Sequence, residues 1–71
     1  MISDDQIARL VELYSEFHHA LDPFAPRVLE AERQFFELLR TLHVTHAPDV
    51  PYDEFRRYAV RKCKLYLSKN P

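Results

Sequence analysis

"HVTHAPDVPYDEF", residues 43–55, decides how this chain folds. Two histidines three residues apart, with Asp49, Asp53 and Glu54 behind them, bring metal-ligating groups close together. Pro48 and Pro51 support a different reading, a joint between two helices. Proline fixes φ and removes a backbone donor, and the residue before it avoids the α region. A helix arriving from upstream then ends at about His43, which leaves His46 in the loop. A new helix starts at Pro51 or Tyr52, with Asp53 and Glu54 in its first turn, where the helix dipole favours acids.

The flanking sequence fits the joint. Downstream, Tyr52, Phe55, Ala59, Cys63 and Tyr66 recur at helical steps, flanked by Val60 and Leu67, and Lys69 stands near the end, where a cation suits the dipole. This predicts a helix over about 51–68. Upstream, Val28, Leu29, Ala31, Phe35, Phe36, Leu38, Leu39 and Leu42 predict a helix over about 26–43, with Pro26 in its first turn. Its apolar residues span roughly half of the helical circumference, enough to touch two neighbours, so this helix is expected at the centre.

"DPFAPR", residues 22–27, is the other joint, with Phe24 expected to plug the end of the core. Before it, Ser3 and Gln6 have capping-box spacing, and Ile2 and Ile7 have that of a hydrophobic staple. Ile7, Leu10, Val11, Tyr14, Phe17 and Leu21 then form one face of a helix over about 3–21. The expected fold is all-α, a small up-down-up three-helix bundle with antiparallel neighbours, in a single helical domain over 1–71.

Composition narrows function. Seventy-one residues with 46% apolar content suit one small folded domain. A core of that size is marginal, which favours oligomerisation or a partner. The chain has no glycine, which argues against tight hairpins and phosphate-cradling loops. A net charge of −1 gives no global attraction to nucleic acid or membrane. The single cysteine, Cys63, cannot form an intrachain disulfide and fits a reducing compartment. The acidic start MISDDQIARL is unlike a signal peptide, and no apolar run approaches spanning length. The expectation is a soluble cytoplasmic protein.

No catalytic, cofactor or small-molecule motif is present, and no enzyme is expected. A bundle separates His18 and His19 from His43 and His46 by roughly 24 Å, at 1.5 Å rise per residue. Cys63 lies nearer the first pair, so no three ligands converge on one ion, and no metal site is expected. Cys63 reads as a small core hydrophobe, and His18 as a half-buried residue with its polar tip outward. Ser15, His19 and Asp22 share one side of the first helix and match the residue types of a triad. Such a surface lacks the concave site and oxyanion hole that acyl transfer needs.

Charge is unevenly distributed. Residues 1–48 carry four bases and eight acids, whereas residues 49–71 carry six bases and three acids. Arg57, Arg61 and Lys64 line one exposed edge of the third helix, with Arg56 and Lys62 to either side and Tyr58 adjacent. Such a face can follow a phosphate backbone. Yet the joint before it is too long for a helix-turn-helix, and Asp53 and Glu54 occupy the turn that would read bases. Acids of the first two helices also offer ion-pair partners. Leu13 and Ala20 on the first helix, and Tyr58 and Leu65 on the third, form apolar seams outside the core stripes. The expected function is a protein–protein interaction module, docking on a partner or self-associating, through Arg57, Tyr58, Arg61 and Leu65. Nucleic-acid binding through the same helix is the alternative.

Overall fold

A computed structural model describes residues 2–69. Three helices follow in order: α1 (Asp4–Phe17), α2 (Pro26–His46) and α3 (Tyr52–Lys69). They pack against one another as an all-α three-helix bundle. No residue in the described part has positive φ, so both joints turn within the conformations open to residues with a Cβ, as a glycine-free chain requires.

The capping box forms as its spacing implies. The Gln6 N–H donates to Ser3 Oγ at 3.3 Å, and the Ser3 N–H donates to Gln6 Oε1 at 3.0 Å. The far end of α1 differs from expectation. The helix ends at Phe17, four residues before Leu21. Proline at 23 sets the last place a helix can stop, and this one stops sooner. Leu21 is not on the core face but fully exposed (103%), and Phe24 does not plug the core but stands 79% exposed. A turn at Asp22–Ala25, just after Leu21, holds Phe24 outward, with the Ala25 N–H on the Asp22 carbonyl (3.2 Å) and the Phe24 N–H on Asp22 Oδ1 (3.0 Å).

The core combines Leu10, Val11, Leu13 and Tyr14 of α1, Phe35, Leu39 and Leu42 of α2, and Phe55, Ala59 and Cys63 of α3. At 100° per residue, the buried set of α1 spans roughly 160° and that of α2 roughly 80°. Phe36 and Leu38, partly buried against the same core, widen the α2 face to a similar arc, but α1 packs more extensively on both neighbours than they do on each other, so α1 and not α2 is the central helix. Leu29 of α2 is exposed, while Leu13, expected off the core face, is 6% exposed. Tyr66, expected in the α3 stripe, is also exposed (44%), at a groove shared with Asp4 and Ile7 of α1.

Side-chain pairs show that α1 and α2 are antiparallel. Gln6 lies beside His46, Arg9 beside Gln34 and Glu16 beside Arg27. Lys62 flanks a groove with Asp4 and Ile7 near the start of α1. Lys64, on the other side of α3, acts electrostatically on His18 at the end of α1. The C-terminal half of α3 therefore lies beside the start of α1.

Candidate interaction surface on the third helix

The joint that seats α3 is formed by the histidines first weighed as metal ligands. α2 runs to His46, beyond the expected end at His43, because the Ala47 N–H closes a last turn on the His43 carbonyl at 2.9 Å. His46 is therefore helical and not a loop residue. His43 Nε2 lies 2.6 Å from the Val50 carbonyl. A carbonyl only accepts, so this nitrogen carries the proton and is not available to a metal. The His43 ring packs against Tyr52 and Phe55, with centroids 5.5 and 5.4 Å away. His43 thus anchors the first turn of α3 in two ways, through the Val50 backbone and through aromatic contact. His46 Nε2 lies 3.3 Å from Gln6 Nε2. Among the described residues no three His, Cys, Asp or Glu side chains gather around a common point.

Phe55, Ala59 and Cys63 then fix which side of α3 faces inward. Cys63 is wholly enclosed, and desolvation pushes its thiol up to about 11. A thiol held protonated is a poor nucleophile. His18 is half-buried, stacked on Tyr14 at 4.4 Å, and desolvation lowers its pKa, helped by His19 and Lys64. Ser15, His19 and Asp22 do line one open hollow of about 390 Å³, but Ser15 and Asp22 bond to other groups and not to His19. Ser15 Oγ donates to the Glu12 carbonyl at 2.8 Å, and Asp22 Oδ1 holds the Phe24 N–H.

The four residues expected to form the partner surface occupy one strip of α3 but two environments. Arg57 and Arg61 are exposed and, with Arg56, Val60 and Lys64, line an open trough of about 370 Å³. Leu65, 50% exposed, borders a separate groove against α1. Tyr58 is half-buried against the core, its ring 6.2 Å from Phe55, with Lys62 Nζ 5.7 Å from its centroid. Tyr58 is therefore mostly a flank of the core rather than an exposed anchor. Sequence reasoning missed Val60 as the apolar floor of the trough, although its place one helical turn from both Arg56 and Lys64 implied it.

Ion pairing separates the bases of this trough from most other arginines; Arg40 of α2 is the exception, exposed and without a carboxylate partner among the described residues. Arg9 pairs with Glu12 at 3.0 Å and Arg27 with Glu16 at 3.6 Å. Arg33 bridges Glu30 and Glu37, and its bond to Glu30 holds that carboxyl down to about 2. On α3, Arg56 reaches Asp53 at 3.7 Å. Among the described residues, no carboxylate pairs with Arg57, Arg61 or Lys64. Four acids of α1 and α2, Glu12, Glu16, Glu30 and Glu37, are instead engaged with arginines of those two helices.

Compared with family models, curated proteins and solved structures, the chain matches none of them. No described helix is long and apolar enough to cross a membrane.

Proposed function

We propose that this protein is a small helical interaction module that docks an acidic protein surface in the Arg57–Arg61–Lys64 trough of α3, without catalytic activity of its own. The observation that carries the reading is a cationic trough, floored by Val60, with no carboxylate of the described chain paired to those three bases. Exposed ion pairs add only about 0–1 kcal/mol to a fold. The fold therefore gains little from these side chains, and a partner's carboxylates can engage them without first breaking an internal pair. Arginine suits the task because its planar fork binds a carboxylate through two hydrogen bonds and it recurs at interface hot spots. Val60 supplies the apolar area of the trough.

The same stripe supports a second reading, binding along a phosphate backbone. The exposed carboxylates of Asp53 and Glu54 at the start of α3 weigh against it. Anisotropy titrations with a labelled glutamate-rich peptide and a labelled DNA duplex, at low and high salt, separate the two. The expected result is salt-sensitive peptide binding, weakened at least about tenfold by Arg57→Glu with Arg61→Glu. Duplex binding tighter than peptide binding, with a steep salt slope, would select the second reading. Binding of neither, or indifference to the double reversal, would remove the trough from consideration.

A further inference from the structure

Leu21 and Phe24 are the two most exposed large apolar side chains among the described residues, and nothing in the fold uses them. Phe24 stands within the Asp22–Ala25 turn, which two hydrogen bonds close, and Leu21 immediately precedes it. The result is a preorganised knob: two apolar side chains around a carboxylate, held outward by a short rigid segment. A knob already in its bound shape loses little conformational freedom on docking.

Near the opposite end of α1 lies a complementary feature. Ile7, Leu65 and Tyr66 provide the apolar part of a groove of about 260 Å³, and Lys62, Lys69 and Asp4 complete its lining. That volume is below the range of pockets for drug-sized ligands and suits a single large side chain. Two lysines and one aspartate make the rim net positive. Phe24 matches the apolar part in character, and Asp22 beside it matches the lysines in charge. About fourteen residues of α1 and its C-terminal turn separate knob from groove, roughly 20 Å at helical rise. The knob therefore cannot fold back into its own groove.

We infer that the Leu21–Phe24 knob of one copy docks in the Ile7–Leu65 groove of a second copy, with Asp22 set against Lys62 and Lys69. This contact is separate from the cationic trough, which lies on the other flank of α3. It makes the chain self-associate whether or not the trough binds an acidic partner. With one aromatic anchor, the contact is weak, forming over about 10 µM to 1 mM.

Sedimentation equilibrium across that range tests it, with helicity checked by circular dichroism. The expected result is an average mass that rises with concentration. Phe24→Ala and Leu65→Glu should each shift the curve at least about tenfold toward monomer. Both side chains are exposed, so neither change removes core packing. Asp22→Asn keeps the acceptor for the Phe24 N–H but removes the charge, and should weaken association and flatten its salt dependence. A mixture of Phe24→Ala, which keeps its groove, with Leu65→Glu, which keeps its knob, should associate again where neither does alone. Arg57→Glu with Arg61→Glu should leave association unchanged, which separates this contact from the trough. A protein monomeric at 1 mM, or association indifferent to Phe24→Ala, or no recovery on mixing, would overturn the inference.

Discussion

α2 and α3 both turn a charged face to solvent, but the charges are arranged differently. On α2, Arg33 sits between Glu30 and Glu37 at helical spacing, and both carboxylates bond to it. On α3, the carboxylates stand at the first turn, where Asp53 pairs with Arg56, and among the described residues Arg57, Arg61 and Lys64 form no ion pair with them. A self-neutralised face presents little net field to a partner. A face whose acids serve the helix dipole and whose bases stand apart presents a directed positive field. The difference arises from residue order along the helix, since α3 has the lower acid content and places it all at one end.

The most severe way to break the comparison is to unseat α3. Phe55 is nearly fully enclosed and contacts both His43 and Tyr58. Phe55→Ala should cost about 3–5 kcal/mol. A domain this small has little more than that to lose, so circular dichroism should show loss of cooperative unfolding and of peptide binding together.

Alkaline pH acts on the same helix less severely. The folded Cys63 thiol titrates near 11, against about 9 when unfolded. Its contribution is fully present below pH 9 and is lost as pH rises through 11, because the unfolded chain releases this proton first. The loss should be on the order of 2–3 kcal/mol, read from urea midpoints between pH 8 and 11. Cys63→Ala should remove this alkaline dependence, at the cost of a small cavity.

The mildest test sharpens the comparison directly. Arg33→Ala should lower the thermal midpoint slightly through loss of two helical pairs, whereas Arg57→Ala should leave it nearly unchanged. The Arg33 effect should also depend on acid. Glu30, held near 2 when folded, contributes above its ordinary value of 4.5 and loses that contribution as pH falls through 2. The gap between wild type and Arg33→Ala should therefore narrow over that interval in thermal melts. Equal effects of the two substitutions at neutral pH would mean that the faces are not differently wired.

Much of this was legible in residue spacing, for physical reasons that also explain the failures. The capping box at Ser3, the entry of α2 at Pro26 and the enclosure of Cys63 are local or periodic features, and each formed as read. The end of α1 did not, because a proline marks only where a helix cannot continue. Leu21 and Phe24 were misplaced for the same reason: once the helix stopped at Phe17, Leu21 fell outside it and the turn at Asp22 directed Phe24 outward. Leu13 was assigned to the surface by assuming one narrow face, whereas α1 has neighbours on two sides. On α3, Arg57 and Arg61 could be recognised as exposed by angle alone. The absence of carboxylates beside them depended on side chains of α1 and α2, which no single helical wheel contains.

The central claim is that the unpaired bases of α3 form the docking surface. Amide chemical-shift mapping of the labelled protein, titrated with a glutamate-rich peptide, tests it most directly. The expected result is a set of shifts confined to about residues 56–65 and centred on Arg57, Val60, Arg61 and Lys64, with α2 around Arg33 unmoved. Shifts centred on Arg33 or Arg27, or no shifts at peptide excess in low salt, would contradict it.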